Sequence, residues 1–136
     1  MAGTIDDGKN IVKRGLLYTK THEWVDPSAS PLRVGISDYA QRSLHDVVYV
    51  ELPKVGAAVK RGLTMCTLES IKAVAEAYAP LDGVIASVNE ELGNAPELVN
   101  KDPYGKGWLA KIDARVPGEG LLAAEEYAEY LKRLTK

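Results

Sequence analysis

The segment Glu69-Ser-Ile-Lys-Ala73 holds the side chains best suited to chemistry. Two β-prone runs, 63–70 and 73–79, meet at Ile71-Lys72, which predicts a tight turn with the lysine ammonium in solvent. That position favours covalent modification of the amine. A Schiff-base or general-base lysine would instead need a desolvating pocket to lower its pKa, and an exposed turn is the opposite environment.

Ser70 and Lys72 also form a candidate nucleophile pair, because residues two apart on a strand share a face. Nothing near them in the sequence supplies an oxyanion hole, so a hydrolase is disfavoured. On composition and periodicity alone, the simplest interpretation of Lys72 is an ordinary turn lysine that keeps the protein soluble.

The remaining reactive side chains form no comparable pattern. His22, His45 and Cys66 lack a metal-ligand spacing, and a single cysteine excludes the usual structural zinc sites, so no metal site is predicted. Cys66 is interpreted as a small apolar strand residue. The run Gly3–Asn10 is one residue short of a phosphate loop and has no strand before it, so no nucleotide site is predicted.

The chain that must position this segment has the composition of one soluble domain. It has 136 residues, 46% hydrophobic and 26% charged. A formal net charge of −2 and a pI of about 5.7 give no broad electrostatic footprint for nucleic acid or an anionic membrane. One cysteine excludes an intrachain disulfide, and the first ten residues resemble neither a secretory nor a mitochondrial leader. We therefore expect a cytoplasmic monomer.

Short β-prone runs between turn formers predict a mostly β, α+β fold, a flattened barrel or sandwich with short helices. Ser37 is a predicted N-cap of a short helix ending at Leu44. An apolar stripe in an Ala-, Glu- and Leu-rich tail predicts a C-terminal helix over 123–135. The predicted strands are 16–19, 24–25, 32–36, 46–52, 57–60, 63–70, 73–79, 84–88 and 107–113.

The chain divides into two parts on this interpretation. Residues 1–15 are a polar, non-periodic lead-in, interpreted as mobile or loosely docked, with ordered structure beginning near Leu16. Residues 16–136 are predicted to form a single domain that includes the C-terminal helix.

Seven blocks of sequence together resemble the glycine cleavage H-protein family, whose members are lipoyl carriers with a lipoyl-type fold. The resemblance runs from about Tyr18 to Tyr127. His45 departs from it, standing where the family commonly has glycine, as does Glu76, where aspartate is common. The blocks are 18–25 (YTKTHEWV), 34–41 (VGISDYAQ), 46–53 (DVVYVELP), 68–74 (LESIKAV), 79–80 (AP), 88–90 (VNE) and 96–108 (PELVNKDPYGKGW).

The resemblance implies that (R)-lipoate is bound covalently to Lys72, the lysine of the family motif Glu-Ser-(Val or Ile)-Lys-Ala. It also implies a non-enzymatic carrier subunit with four partners. The P protein, a glycine decarboxylase, loads an aminomethyl group, and the T protein, an aminomethyltransferase, passes its carbon to tetrahydrofolate. The L protein, a dihydrolipoamide dehydrogenase, reoxidises the dithiol, and a lipoylating enzyme attaches the cofactor.

Three carboxylates are also given roles: Glu23, which lies in the His-Glu-Trp block, and Glu69 and Glu76, which lie three residues before and four residues after Lys72. A lysine extended by lipoate reaches about 14 Å from the backbone, so one arm can visit successive active sites. The loaded amine is cationic when protonated, and a cleft that shelters it needs carboxylates. Glu23 and Glu76 are the candidates for that lining. Glu69, with Ser70 and Ala73, is the candidate for recognition by the lipoylating enzyme.

Other functions remain open at this point. A lipoate relay protein, which donates lipoyl groups to 2-oxoacid dehydrogenases, would display the same lysine. A β interaction module without a prosthetic group would leave Lys72 unmodified. A biotin carrier fits less well, because that family's lysine usually lies between two methionines, whereas Lys72 lies between Ile71 and Ala73.

Overall fold

Eleven strands account for most of the regular structure in this computed structural model, which describes residues 3–114 and 120–134. The strands are β1 (Thr4–Asp6), β2 (Ile11–Lys13), β3 (Leu17–Tyr18), β4 (Glu23–Asp26), β5 (Leu32–Ile36), β6 (Val47–Glu51), β7 (Ala58–Val59), β8 (Thr64–Ser70), β9 (Val74–Tyr78), β10 (Gly83–Val88) and β11 (Ala110–Asp113). They pair antiparallel in three sheets, β1-β2, β3-β4-β5-β11-β10-β7 and β6-β8-β9.

Three α-helices and one 3₁₀ turn complete the described elements. They are α1 (Asp38–Leu44), α2 (Leu98–Lys101), α3 (Ala124–Leu134) and the turn Glu90–Gly93. Ser37 is the N-cap of α1 as predicted, and its Oγ accepts from the Ala40 N–H at 3.3 Å. The predicted C-terminal helix begins one residue late, and Thr135 lies outside the described residues. None of the described helices is long and apolar enough to span a bilayer.

The six-stranded and three-stranded sheets share one apolar core. Val25, Val34 and Ile112 of the larger sheet and Val50 and Leu68 of the smaller sheet are all 5% exposed or less and belong to the same cluster. The alternation of apolar and polar residues along each strand sends one face of each sheet into this cluster. The predicted sheet-dominated fold with short helices and a C-terminal helix is therefore confirmed, as a sandwich of open sheets.

A second cluster lies beneath α3 and is largely aromatic. The Tyr18 and Tyr127 rings stack with centroids 4.4 Å apart, and Tyr104 meets Tyr18 edge-on at 6.4 Å. Trp24 is fully buried, and its indole N–H donates to the Pro103 carbonyl at 3.0 Å. The aromatic side chains thus fasten the C-terminal helix to the far side of the larger sheet.

The lead-in differs from its prediction. Ordered structure begins well before Leu16, because β1 and β2 form a hairpin whose Val12 side chain is 2% exposed within the aromatic cluster. The Ile11 N–H donates to Asp38 Oδ2 at 2.9 Å, which ties the hairpin to α1. The division of the chain at residue 15 stays a prediction.

Candidate functional site

Lys72 lies at the exposed tip of the β8–β9 hairpin. Leu68 pairs with Ala75 and Glu69 with Val74, so the strands stay in register up to the turn. The Ser70 N–H closes the turn by donating to the Ala73 carbonyl at 2.8 Å. The two predicted runs therefore meet where the sequence placed them, with the lysine side chain in solvent.

The Ser70 hydroxyl holds the shape of this turn. Its Oγ accepts from the Lys72 N–H at 3.1 Å and from the Ala73 N–H at 3.0 Å, and it donates to the Ala73 carbonyl at 3.1 Å. A serine that satisfies three backbone groups in this way stiffens a turn locally. These contacts also occupy the hydroxyl, which argues further against a serine nucleophile.

A groove of about 560 Å³ lies between this tip and the end of α1. On its floor, Asn100 Oδ1 accepts from the Val47 N–H at 2.9 Å, and Asn100 Nδ2 donates to the His45 carbonyl at 2.7 Å. The Ile71 N–H donates to the Asp46 carbonyl at 3.1 Å. The tip is therefore braced by backbone contacts to the start of β6.

His45 occupies a backbone conformation that suits glycine. Its φ of 63° and ψ of −153° end α1 in a region that side chains with a Cβ rarely adopt. This conformation gives a physical reason for the glycine that the resembling family commonly has here.

A second cleft, of about 200 Å³, brings Glu23 and Glu76 together. It opens between β4, α1 and the edge strand β9, and its walls include the apolar side chains of Ile36, Leu44 and Leu68. Both carboxylate residues proposed from the sequence thus line one cleft, although 53 positions separate them in the chain.

Glu23 is buried at 1% exposure, and protein groups surround its carboxylate. Oε1 accepts from the Thr19 and Thr21 hydroxyls at 2.6 and 2.5 Å, and Oε2 accepts from the Tyr78 N–H at 3.1 Å. Burial raises the pKa of this carboxyl, while these hydrogen bonds work to lower it. Glu23 therefore joins β4 of the larger sheet to β9 of the smaller one, a structural role that the sequence alone did not indicate.

Glu76 is exposed at the rim of the cleft. Its carboxylate accepts from the Thr64 hydroxyl at 2.9 Å and from the Tyr78 hydroxyl at 3.4 Å. Thr64 pairs with Tyr78 across β8 and β9, so these contacts lie on the outward face of the sheet. Glu23 is therefore buried and accepts a hydrogen bond from the backbone of β9. Glu76 is exposed and accepts from two hydroxyl groups on the outward face of the sheet.

A chain of three hydrogen-bonded side chains begins at His22 in the wall of this cleft, and sequence reasoning missed it. His22 Nδ1 lies 2.8 Å from the Tyr127 hydroxyl, which lies 2.7 Å from Ser37 Oγ. Burial lowers the pKa of His22 to about 4, so its imidazole is neutral near pH 7. No local signal joins residues 105 positions apart, although His22 belongs to one of the quoted blocks.

Other candidates are placed as follows. Glu69 is half-buried on the outward face between Tyr49 and Val74, and Ala73 is exposed beside Lys72. Cys66 is 2% exposed in β8, and burial raises its pKa to about 12, which keeps the thiol protonated. Within residues 3–114 and 120–134, no three His, Cys, Asp or Glu side chains are grouped to hold a metal.

The second cleft lies within reach of a lipoyl-lysine arm on Lys72. Ala75 and Glu76 follow Lys72 by three and four residues, which is at most about 10–13 Å at 3.3 Å per residue. An arm of about 14 Å therefore spans it. A sandwich that presents a lysine on a stiff hairpin beside such a cleft has the architecture of a lipoyl-type carrier domain.

Comparison with known proteins narrows the class to one family. A family model described as Glycine cleavage H-protein matches residues 16–134. The chain belongs to this family, the lipoyl carriers of the glycine cleavage system.

Individual relatives are similar over almost the whole chain. A probable glycine cleavage system H protein of Pyrococcus abyssi is 51% identical over 134 residues, covering 96% of this chain and 99% of that one. The glycine cleavage system H protein of Herpetosiphon aurantiacus is 52% identical over 120 residues, covering 88% and 93%. The crystal structure of a glycine cleavage system H protein from Mycobacterium marinum superposes with a TM-score of 0.77 at 38% identity, covering 90% of this chain and 98% of that one.

Proposed function

We propose that this chain is a non-enzymatic carrier that bears (R)-lipoate in amide linkage on Lys72. The observation that carries the proposal is the exposed Lys72 at a hairpin tip stapled by the Ser70 hydroxyl. An exposed amine on a rigid support is open to acylation, and the cleft beside β9 lies within reach of the finished arm. Lys72 would hold the lipoyl group, and that group would supply the disulfide–dithiol chemistry of the carrier.

We assign four partners to the carrier in this cycle. The P protein loads the arm, the T protein unloads it to tetrahydrofolate, the L protein reoxidises it, and a lipoylating enzyme attaches it, all in the cytoplasm. Membership of the H-protein family supports the assignment. The task of this chain is to hold the arm at a fixed attachment point and to shelter it between enzymes.

The cleft lined by Glu23 and Glu76 is proposed as that shelter. Its walls include apolar side chains, which disfavour water, and Glu23 contributes a buried carboxylate to the lining. Because the Glu23 oxygens already accept three hydrogen bonds, its charge acts on a cationic amine mainly through the low-dielectric surroundings. Glu76, at the solvent-exposed rim, contributes less.

The test of attachment is the intact mass of the protein incubated with lipoate, ATP and a lipoate–protein ligase. We expect one lipoyl adduct, mapped by peptide analysis to Lys72 and absent in Lys72→Arg. Lys60→Arg, an exposed lysine outside the hairpin tip, is the matched control and keeps the adduct. An unmodified Lys72 in the presence of an active ligase would remove the carrier proposal and favour an interaction module.

Reconstitution separates glycine cleavage from lipoate relay. The lipoylated protein, mixed with the P protein, glycine and labelled bicarbonate, is expected to support exchange of label into glycine. Transfer of lipoyl groups to a 2-oxoacid dehydrogenase without such exchange would establish the relay function instead.

The shelter is tested through Glu23→Gln and Glu76→Gln, singly and combined. Ammonia release from the loaded protein, without the T protein, is expected to accelerate most in the variants that lack the Glu23 charge. Equal rates in all four proteins would refute the lining role.

A further inference from the structure

The outward face of the β6-β8-β9 sheet is unusually apolar next to the hairpin tip. Val48, Tyr49, Ile71 and Val74 are 53%, 53%, 72% and 65% exposed. Cross-strand pairing aligns Tyr49, Glu69 and Val74 in one row, and a bulge between Val47 and Tyr49 adds Val48 beside them. Apolar side chains gathered on one face are typical of a surface that another molecule covers.

The same face is acidic. Glu51, Thr67 and Glu76 form the next row outward from the Tyr49 row, again by cross-strand pairing. None of Glu51, Glu69 and Glu76 makes an ion pair with a described residue. Three carboxylates without an ion pair to a described residue, set around an apolar centre, complement a partner surface that is apolar at its centre and basic at its rim.

We propose that this face, defined by Val48, Tyr49, Glu51, Glu69, Ile71, Val74 and Glu76, is the docking surface for the enzyme that acylates Lys72. The inference rests on the proposed function and adds the footprint and chemistry of one partner. That partner presents basic and apolar side chains around its active-site mouth.

The distance between the backbone and the atom that each enzyme acts on indicates which of the four partners must contact this face. The Lys72 Nζ lies within about 6 Å of its own backbone, so an enzyme that acts on this atom must contact the hairpin. Enzymes that act on the dithiolane can meet the arm up to about 14 Å from the backbone, so their chemistry alone does not require contact with the tip.

The reaction at this surface is an acyl transfer. The Lys72 Nζ attacks, through its lone pair, the carbonyl carbon of an activated lipoyl group such as the mixed anhydride of lipoate and AMP. A C–N bond forms, the bond from that carbon to the leaving oxygen breaks, and the oxygen departs with the electron pair. The amine proton passes to solvent, and no atom is oxidised or reduced.

The experiment compares acylation of the unmodified protein and its variants by a lipoate–protein ligase with lipoate and ATP. Tyr49→Ala/Val74→Ala removes apolar area, and Glu51→Gln/Glu69→Gln removes charge. Val84→Ala, also exposed but on the six-stranded sheet, and Glu90→Gln/Glu91→Gln, exposed on the 3₁₀ turn, are the matched controls. Thermal unfolding verifies that each variant is folded.

We expect the apolar pair to lower kcat/KM for acylation about tenfold, mainly through KM. The acidic pair is expected to lower it about fivefold at low salt and to flatten its decline with added salt. Both controls should stay within about twofold of the parent.

Acylation of both paired variants at the parental rate would overturn the docking surface. An equal loss in reduction of pre-lipoylated variants by dihydrolipoamide dehydrogenase would overturn its assignment to the acylating enzyme, as would a parental dimer that the apolar pair dissociates. If the parent itself gains no adduct at Lys72, the proposed function fails, which is a distinct result.

Discussion

The two ends of β9 are held in place by different kinds of contact. At the Lys72 end, the Ser70 hydroxyl bonds backbone groups only two and three residues away, in a turn at the protein surface. At the Tyr78 end, the backbone N–H meets the buried carboxylate of Glu23, 55 residues away. The first end is stabilised locally, and the second depends on the whole fold.

This difference separates the residues that present the Lys72 side chain from the residues that stabilise the fold. Substitutions at the Lys72 end should change what the protein carries and lower its free energy of unfolding by no more than about 1 kcal/mol, because few distant contacts depend on it. Substitutions at the Glu23 end should change unfolding first, because three donors lose a shared acceptor.

Replacing Glu23 tests the contrast most strongly. Glu23→Ala is expected to lower the free energy of unfolding by about 3 kcal/mol, since the Tyr78 N–H and two hydroxyls lose their partner in a buried site. Lys72→Ala, at the other end, should stay within about 0.5 kcal/mol of the parent. Urea denaturation measures both, and similar losses in the two variants would break the comparison.

The pH dependence of stability follows from His22 at the buried end. Between pH 6.5 and about 4, the unfolded chain binds a proton at His22 and the folded chain does not. The free energy of unfolding therefore falls as pH falls through this window, by about 2–3 kcal/mol in all. His22→Asn, which suits the positive φ of 77°, should remove that part of the slope in urea titrations. An unchanged slope would show that His22 titrates normally.

Ser70→Ala tests how much the side-chain hydrogen bonds at the exposed end of β9 contribute. Loss of the hydroxyl that accepts from two backbone N–H groups should lower the free energy of unfolding by about 1 kcal/mol and slow lipoylation several-fold, because the turn loosens. Ser70→Thr keeps the hydroxyl and is the control. Chemical denaturation measures the free energy of unfolding, and the time course of adduct formation measures lipoylation. Equal values for the alanine and threonine variants would contradict the role of the Ser70 hydroxyl in holding the turn.

The remaining prediction is a gain of stability. His45→Gly should raise the free energy of unfolding by about 1 kcal/mol, because glycine relieves the positive φ at the end of α1 by more than it adds to the entropy of the unfolded chain. His45→Ala removes the imidazole and retains the strain, so glycine should exceed alanine in thermal unfolding. A higher melting temperature for the alanine variant than for the glycine variant would show that the backbone at position 45 is not strained.

Local patterns in the sequence predicted the elements well. The run 32–36 is β5 itself, because alternating apolar residues lie between turn formers, and 46–52 contains β6 with one extra residue at each end. The hairpin tip at Lys72 was predictable for the same reason. Its staple by Ser70 is also a local contact, and the preference of serine for such turns could have indicated it.

Long-range contacts were beyond local patterns. The pairing of β5 with β11 and the bond from Tyr78 to Glu23 depend on which surfaces fit once the sheets form. The lead-in was missed for a different reason. Its Asp7-Gly8 turn between Thr4–Asp6 and Ile11–Lys13 is a hairpin signal that its polar composition obscured.

The contact between Tyr127 and His22 can form only after the C-terminal helix has been synthesised. The Tyr127 hydroxyl reaches residues 90 and 105 positions earlier, so the N-terminal part leaves the ribosome long before its last partner is made. A chain that stops short of α3 would leave His22 without this hydroxyl and the Tyr18 ring without its stacking partner. Truncated products would thus expose aromatic surface that marks them for degradation, whereas full-length chains bury it.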